Sequence, residues 1–258
     1  MSVDLYVSSS AFRDTPEVIA AYAREHGYAG VEWYLDQRRI PIAPEARGGF
    51  FRNLRSFELG VRFHAPAADV EIGHRDPALA EASLRYLQMY IEFLADVAPT
   101  ILTVHVGSRA IPMELLSWET TLEHLRRITA AGRERGVTVC LENLKRGWTS
   151  DPTRLLAMAE AAGSAITLDL GHANASPFVQ AAGTLEAFFT VIKERVANVH
   201  VYAIETPDGR HLPLTGLQAH GRVLEALLAY GPRTWVLELS SREDIEATRQ
   251  TVASLVGP

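Results

Sequence analysis

A chain of 258 residues with 47% hydrophobic and 22% charged residues has the composition of an ordinary globular protein with ample apolar material for a core. The formal net charge of −6, with lysines and arginines scattered along the sequence, disfavours a polyanionic partner such as nucleic acid, which is normally bound by a basic face. The sequence contains neither a low-complexity tract nor a long linker, so residues 1–258 are interpreted as one domain.

Short runs of β-branched and apolar residues alternate with longer helical patterns along the whole chain. The predicted strands cover residues 3–8, 30–33, 61–64, 101–106, 137–142, 165–169, 196–202 and 234–239. After the third strand, Leu84, Leu87 and Ile91 recur at spacings of three and four residues, which indicates one apolar helix face. The segment after the fourth strand repeats this spacing.

Residues that favour helix ends agree with this division of the chain. Three pairs place a capping side chain before a proline at the start of a helical pattern: Thr15-Pro16, Asp76-Pro77 and Asp151-Pro152. Five glycines follow helical patterns, where a left-handed residue commonly ends a helix: Gly27, Gly60, Gly136, Gly163 and Gly231.

The connections between the predicted elements are unequal in length. Helix-to-strand connections are short, whereas the strand-to-helix connections after His64, Asp169 and Tyr202 are expected to exceed ten residues. Long loops on one face commonly carry function. Repeated strand–helix units indicate a parallel sheet, and eight units without a glycine-rich dinucleotide motif favour a closed (β/α)₈ TIM barrel over a doubly wound sheet.

Acidic or imidazole side chains stand at or near the ends of most predicted strands. They are Glu32, His64, His105, Glu142, Asp169, His200 and Glu238, with His172 three residues after the sixth strand. In a parallel barrel these strand ends meet at one pocket. Burying several carboxylates together without a counter-charge is costly or forces protonation, which a bound dication would prevent. The sequence therefore predicts a divalent metal site.

Mixed carboxylate and imidazole ligands suit Mn²⁺, Co²⁺, Fe²⁺ or Zn²⁺ better than Mg²⁺, which prefers oxygen ligands. The only cysteine, Cys140, is interpreted as a small core residue deeper in the barrel than Glu142. A single cysteine forms no internal disulfide, which fits the reducing cytoplasm. The N-terminal residues lack the pattern of a signal peptide, and no run of 18 apolar residues would span a membrane. We expect a cytoplasmic protein without a membrane partner; homo-oligomer formation stays open.

Several short motifs resemble those of the xylose isomerase-like TIM-barrel superfamily, which includes sugar isomerases and epimerases and the AP endonuclease family 2 enzymes. They are FHAP with His64, VHVGS with His105, LEN with Glu142, LDLGH with Asp169 and His172, VHV with His200, the final Glu238, and GRHLPLTG with His211. The resemblance spans essentially the whole barrel, and it implies an enzyme of carbohydrate metabolism.

In the epimerases of this superfamily, the residues matching Glu142, Asp169, His200 and Glu238 would hold one metal ion. The resemblance further implies that Glu142 and Glu238 act on opposite faces of a sugar or sugar phosphate, one removing a proton and the other returning it. His172 would orient a substrate oxygen. An arginine of some ketose epimerases has no clear counterpart here, because Glu205-Thr206-Pro207 occupies that stretch.

The AP endonuclease pattern is the alternative, and it implies a metal-dependent phosphoester hydrolase with additional ions. His64, His105 and Glu142 would form one further site, and His172 with His211 another. That pattern has an aspartate two residues before the last histidine, where this chain has Gly209. A barrel that binds metal or carbohydrate without catalysis is a third hypothesis, in which the retained pair of glutamates has little purpose.

The remaining candidates are assigned to substrate binding. His64 and His105 are favoured as contacts to substrate hydroxyls, with ligation of a second metal as the alternative. Contacts around the mouth of the pocket are also expected from Glu32, Trp33, Arg109, Arg146 and His211. The two arginines would take a substrate phosphate or carboxylate.

Overall fold

The protein is a single-domain (β/α)₈ barrel in the computed structural model, which describes residues 3–35, 40–41, 43–68, 70–107, 111–181 and 183–256. Eight parallel strands close the barrel: β1 Asp4–Ser8, β2 Gly30–Tyr34, β3 Gly60–His64, β4 Thr100–Val104, β5 Val137–Glu142, β6 Ala165–Asp169, β7 Val196–Val201 and β10 Thr234–Leu237. All eight predicted strands are confirmed, with ends that differ by two residues at most.

Two further strands form a small antiparallel hairpin at the mouth of the barrel, with β8 at Ile204–Glu205 and β9 at His211–Leu212. This hairpin was not predicted, because two-residue strands are too short to show an alternating pattern. It follows β7 directly and occupies much of the connection that the sequence suggested would be an irregular loop.

Helices surround the sheet in the described part of the chain. They are α1 Pro16–Glu25, α2 Pro44–Leu54, α3 Pro77–Leu94, α4 Trp118–Glu134, α5 Pro152–Ala162, α6 Leu170–Ala175, α7 Pro177–Ala181, α8 Leu185–Ile192, α9 Gly221–Tyr230 and α10 Arg242–Val256. The prediction of a long loop after Asp169 is wrong, because α6 begins at the next residue. The Asp169 carboxylate caps this helix by accepting a hydrogen bond from the backbone N–H of His172, 2.7 Å away. No described helix is both long and apolar enough to cross a bilayer.

The capping predictions are partly confirmed. The Asp76 and Asp151 carboxylates accept hydrogen bonds from backbone N–H groups at the starts of α3 and α5, whereas Thr15 makes no such bond. Three of the five glycines have positive φ, as expected of left-handed residues: Gly27, Gly136 and Gly163. The prediction is wrong for Gly60, which begins β3, and for Gly231, which has φ −93°.

The interior of the barrel is more polar than the aliphatic layers that usually fill this fold. Hydrogen bonds cross it from Arg62 of β3 to Asn198 of β7 and Thr234 of β10, and from Thr103 of β4 to Thr167 of β6. Apolar packing is instead concentrated between the outer face of the sheet and the helices. Buried side chains in that outer layer include Val31, Phe63, Leu102, Leu141, Leu168, Val199 and Trp235.

The aromatic ring of Tyr6 needs two glycines in the neighbouring strands. A Cβ at Gly30 would overlap the Tyr6 ring and the backbone oxygen of Gly60, and a Cβ at Gly60 would overlap the Tyr6 phenol. Gly60 is therefore required by close packing inside the barrel rather than by a left-handed turn. Tyr6 in turn lies against the Arg62 guanidinium, 4.7 Å from the ring centre.

We predict that Gly30→Ala lowers the free energy of unfolding by about 1–3 kcal/mol or more, because the new methyl group overpacks the barrel interior. Urea unfolding measures the change. Gly49→Ala is the matched control: Gly49 lies in α2 with no atom within 4 Å of an added Cβ. Alanine favours a helix over glycine, so this control should be more stable by up to about 1 kcal/mol. Equal stabilities of the two variants would contradict this account of Tyr6.

Candidate metal centre

Four of the predicted site residues meet at the carboxyl ends of the barrel strands. Glu142 ends β5, Asp169 ends β6, His200 lies in β7 and Glu238 directly follows β10. One potential ligand atom from each lies within 4.8 Å of the other three. All four side chains are buried, with Glu238 the most exposed at 7%. Strand pairing sets this geometry, because Asp169 and His200 are register partners on adjacent strands.

The carboxylates surround one nitrogen of the imidazole. His200 Nδ1 lies 3.0 Å from Glu238 Oε2, 3.6 Å from Glu142 Oε1 and 3.6 Å from Asp169 Oδ2. These four atoms are buried and have no hydrogen-bond partner among the described residues. Buried polar atoms are nearly always partnered, so four unpartnered atoms that face one another mark a place for a missing partner.

A divalent cation fits this donor set. Bonds of about 2.0–2.2 Å to nitrogen and oxygen place neighbouring ligands of one ion about 3–4 Å apart, which matches the distances around His200 Nδ1. Three carboxylates with one imidazole suit Mn²⁺, Co²⁺, Fe²⁺ or Zn²⁺. The residues present therefore fit such an ion.

Strong electrostatic coupling acts within this cluster. Burial opposes ionisation of Glu142, but the charges of His105 and His200 and the hydrogen bond from His105 hold its pKa well below the usual value. His200 likewise keeps the pKa of Glu238 low despite burial. Burial raises the pKa of Asp169, which the nearby carboxylates reinforce. Two carboxylates are thus kept as anions beside a third that is costly to ionise.

His64 and His105 contact the other oxygen of Glu142. Their Nε2 atoms lie 3.1 and 2.8 Å from Glu142 Oε2, and the two histidines with Glu142 form a second group with metal-ligand spacing. Burial opposes a charge on His64, but Glu142 outweighs it and raises the pKa of His64 to about 9. This arrangement holds Glu142 with Oε1 directed toward His200 Nδ1. Contact of either histidine with substrate stays a prediction.

His172 lies between Glu142 and Glu205, a residue that the sequence analysis did not assign to the site. His172 Nδ1 is 3.3 Å from Glu142 Oε1 and 3.0 Å from the backbone oxygen of Asn143, and Nε2 is 3.2 Å from Glu205 Oε2. Burial opposes a charge on His172, but Asp169, Glu142 and Glu205 raise its pKa well above the usual value.

Glu205 joins the site through the β8–β9 hairpin, in which it pairs with His211. His172, Glu205 and His211 form a third group with metal-ligand spacing, in which the carboxylate comes from Glu205, whereas the AP endonuclease pattern has an aspartate at the position of Gly209. Lys145 also contacts Glu205, with Nζ 2.9 Å from Oε2. His211 stacks on Tyr202 at 3.9 Å, and its Nδ1 donates a hydrogen bond to the Glu238 backbone oxygen. The sequence signal that could have identified Glu205 was its position in the stretch Glu205-Thr206-Pro207, where some ketose epimerases have an arginine.

Glu32 and Trp33 do not lie where the sequence analysis expected. Glu32 is fully buried behind His200, with Oε1 3.0 Å from Nε2, so it faces away from the mouth of the pocket. Trp33 points outward and packs against Phe50 and Phe57. Consecutive strand residues face opposite sides of a sheet, which explains why the two cannot share one pocket wall. The prediction that Glu32 and Trp33 contact substrate is therefore wrong for both residues.

Two arginines were also assigned to substrate binding. Arg146 is exposed in the connection after β5, and Arg109 lies outside the described residues. Cys140, in contrast, is fully buried inside the barrel, as predicted, and burial raises the pKa of its thiol to about 12.

Comparison with known proteins agrees with this architecture. The family described as xylose isomerase-like TIM barrel matches residues 20–256. An uncharacterized protein of Methanocaldococcus jannaschii is 27% identical over 216 residues, which cover 82% of this chain and 93% of the relative.

Solved structures share the fold at low sequence identity. A D-tagatose 3-epimerase-like protein has a TM-score of 0.78 and 18% identity, with 98% of this chain and 97% of the other covered. The IOLI protein, solved with a bound zinc atom, has a TM-score of 0.74 and 14% identity, with 98% of each chain covered. At these identities the likeness shows the shared fold.

We predict that Glu205 stabilises the protein in a pH-dependent way. Burial opposes its charge, but hydrogen bonds and charges of His172 and Lys145 lower the pKa of Glu205 from 4.5 to about 2. A folded-state pKa below the unfolded value means that the stabilisation is present above pH 4.5 and decreases as the pH falls toward 2. Wild type should exceed Glu205→Gln by about 1–3 kcal/mol at pH 7.

Urea unfolding between pH 7 and pH 3, with a chelator present, measures this difference. Glu160→Gln, which changes an exposed glutamate of α5, is the control and should leave wild-type stability unchanged. A difference between wild type and Glu205→Gln that stays constant below pH 4.5 would contradict the assignment.

Proposed function

Since the chain belongs to the xylose isomerase-like TIM-barrel family, we propose that it is a divalent-metal-dependent isomerase or epimerase of a sugar or sugar phosphate. Glu142, Asp169, His200 and Glu238 would hold the ion. The observation that carries this proposal is the convergence of four buried, unpartnered atoms on one point. Manganese, cobalt, zinc and iron suit the ligands better than magnesium.

The reaction is proton transfer beside a carbonyl. A divalent ion held by Glu142, Asp169, His200 and Glu238 would supply Lewis-acid chemistry, polarising a substrate carbonyl and acidifying the neighbouring C–H bond. Glu142 ends β5 and Glu238 directly follows β10. One of them, as the anion, would remove the proton from carbon on one face, and the other would enter the step protonated and donate its proton on the opposite face, as epimerisation requires.

His172 would orient a substrate oxygen through Nε2. Its Nδ1 is held by the Asn143 backbone oxygen, so the ring has a fixed orientation. Because Glu205 already lies 3.2 Å from Nε2, a substrate oxygen would have to replace or share this contact. His64 and His105 would fix Glu142 and meet substrate hydroxyls, and His211 would line the pocket beside Glu238. The exposed Arg146 remains a candidate for binding a substrate phosphate.

A metal-dependent phosphoester hydrolase is the second candidate. The additional groups His64–His105–Glu142 and His172–Glu205–His211 favour it, since each would accept a further ion. The ammonium of Lys145 opposes an ion beside Glu205, because two cations would compete for one carboxylate. The net charge of −6 also opposes binding to DNA. We therefore rank the isomerase first, acting on a small molecule in the cytoplasm, without nucleic-acid or membrane partners. Assembly as a homo-oligomer is compatible with this role.

We predict that wild type binds one equivalent of Mn²⁺ or Zn²⁺ at this centre and that Asp169→Asn binds it more than about 100-fold more weakly. Asparagine retains the oxygen that caps α6 but replaces the oxygen facing His200 with a neutral amide. Loss of an indirect contact alone commonly weakens binding about 10–100-fold, and loss of a ligand should exceed this. Isothermal titration of chelator-treated protein measures the affinity.

Asp151→Asn is the matched control, because Asp151 also caps a helix, α5, but belongs to none of the groups with metal-ligand spacing. This variant should bind the ion as wild type does. Equal affinity of Asp169→Asn and wild type would rule out Asp169 as a ligand.

We predict that the metal-loaded protein exchanges solvent deuterium into a ketose at the carbon beside its carbonyl. Glu238→Gln should slow this exchange at least about 100-fold, because a general acid–base group typically contributes that factor. It should retain metal at reduced affinity. Nuclear magnetic resonance of a panel of ketoses and ketose phosphates in D₂O measures the exchange.

Glu246→Gln is the control for this measurement, since Glu246 lies on α10 and bonds to Tyr22 and Tyr28. It should exchange deuterium at the wild-type rate. No exchange across the panel would refute the isomerase proposal, and metal-dependent nicking of an abasic oligonucleotide would favour the hydrolase.

A further inference from the structure

We infer that Arg62, Asn198 and Glu32 form a buried hydrogen-bonded chain that positions His200 with Nδ1 directed toward the metal. This inference rests on the metal centre of the proposed function. The three residues are positioning residues, because each acts through His200 and none faces the mouth of the pocket.

The chain ends at His200. His200 Nε2 hydrogen-bonds to Glu32 Oε2 at 3.2 Å, with Glu32 Oε1 3.0 Å away, whereas the three ligand carboxylates surround the other ring nitrogen, Nδ1. A carboxylate accepts hydrogen bonds and, when ionised, cannot donate one, so the proton of the imidazole is held on Nε2. The lone pair on Nδ1 is then left for an ion. Both side chains are fully buried, so bulk water does not compete for Nε2.

Arg62, near the bottom of the barrel, sets the donor-to-acceptor direction of the hydrogen-bonded chain. The guanidinium of Arg62 can only donate, and it donates from Nη1 to Asn198 Oδ1 and from Nη2 to Thr234 Oγ1. Asn198 must therefore turn its NH₂ group the other way, where Nδ2 donates to Glu32 Oε2 at 3.1 Å. Asn198 Nδ2 also lies 3.3 Å from Thr103 Oγ1 and 3.2 Å from His200 Nε2. Because Glu32 Oε2 is the shared acceptor of both nitrogens, Asn198 and His200 are both oriented as donors toward it.

Strand register and packing bring these residues together. Glu32 and Arg62 are partners on β2 and β3, and Asn198 lies two residues before His200 on the same inner face of β7. Arg62 also places a positive charge one residue away from the buried Glu32 carboxylate, with Asn198 bonded to both. It lies over the Tyr6 ring, which Gly30 and Gly60 accommodate.

Metal binding by the full-length protein tests this inference without using activity. Titration with Mn²⁺ should show Glu32→Ala binding about 10–100-fold more weakly than wild type, the usual effect of removing a residue that orients a metal-bound histidine. Glu32→Gln should recover part of this loss, because its carbonyl oxygen can still accept the proton of Nε2. Arg62→Met should also weaken binding. The double variant of Arg62→Met with Glu32→Ala should bind no more weakly than Glu32→Ala alone, since both act through one chain.

A spectroscopic measurement on wild type tests the same point without a substitution. With Zn²⁺ and ¹⁵N-labelled histidine, nuclear magnetic resonance should show a proton on Nε2 of His200 and zinc on Nδ1. Two variants control for structural disturbance. Cys140→Ala changes a buried side chain inside the barrel that is not part of the Arg62–Asn198–Glu32 hydrogen-bonded chain. Leu227→Ala destabilises the packing of α9. Both variants should bind the metal ion with wild-type affinity.

The outcomes separate this inference from the function on which it rests. Zinc on Nε2, or equal Mn²⁺ affinity of wild type and Glu32→Ala, would overturn the inference and leave the metal centre intact. Additive losses in the double variant would also overturn it, because the two residues would then act independently. Failure of wild type to bind any divalent ion would remove both the metal centre and the inference. Metal binding that depends on Glu32 in a protein without deuterium exchange would support the inference and refute the isomerase.

Discussion

Electrostatic repulsion among Glu142, Asp169 and Glu238 is the constraint on which the rest of the site depends. Their ligand atoms lie within 4.8 Å of one another and of His200, inside a closed barrel. Two unit charges at that separation repel by about 3–4 kcal/mol at an effective dielectric constant of about 20. Because three of these residues belong to hydrogen-bonded strands and Glu238 directly follows one, the side chains cannot move far apart. A dication would turn this repulsion into attraction, and the surrounding imidazoles reduce it.

The outer face of the barrel sheet serves stability, and the inner face carries the groups of the candidate site. Apolar side chains on the outer face of the sheet pack against the helices, and their burial stabilises the fold. The inner face instead carries polar groups in layers, from Arg62 near the bottom, through Asn198 and Glu32, to His200 at the centre. Few aliphatic side chains are then needed inside, because hydrogen bonds across the barrel fix the ligands.

The sequence was sufficient to predict the eight strands and to place their acidic and imidazole ends at one pocket, because parallel strand ends converge in a barrel. The family resemblance, not the strand pattern, singled out Glu142, Asp169, His200 and Glu238 as one metal site. The strand pattern misplaced Glu32, since position near a strand end does not reveal depth along the barrel axis. Tyr34, two residues later, is the β2 residue that stacks on His64 at the mouth. Glu205 was missed because its side chain reaches the site through tertiary pairing of the β8–β9 hairpin, which leaves no periodic signal.

X-ray diffraction from crystals grown with Mn²⁺, recorded near the manganese absorption edge, tests the central claim most directly. The account predicts an anomalous peak about 2.0–2.3 Å from His200 Nδ1 and from one oxygen each of Glu142, Asp169 and Glu238. Absence of a peak at this position would contradict the account. So would manganese bound only between His172 and His211, because the four converging atoms would then need another explanation.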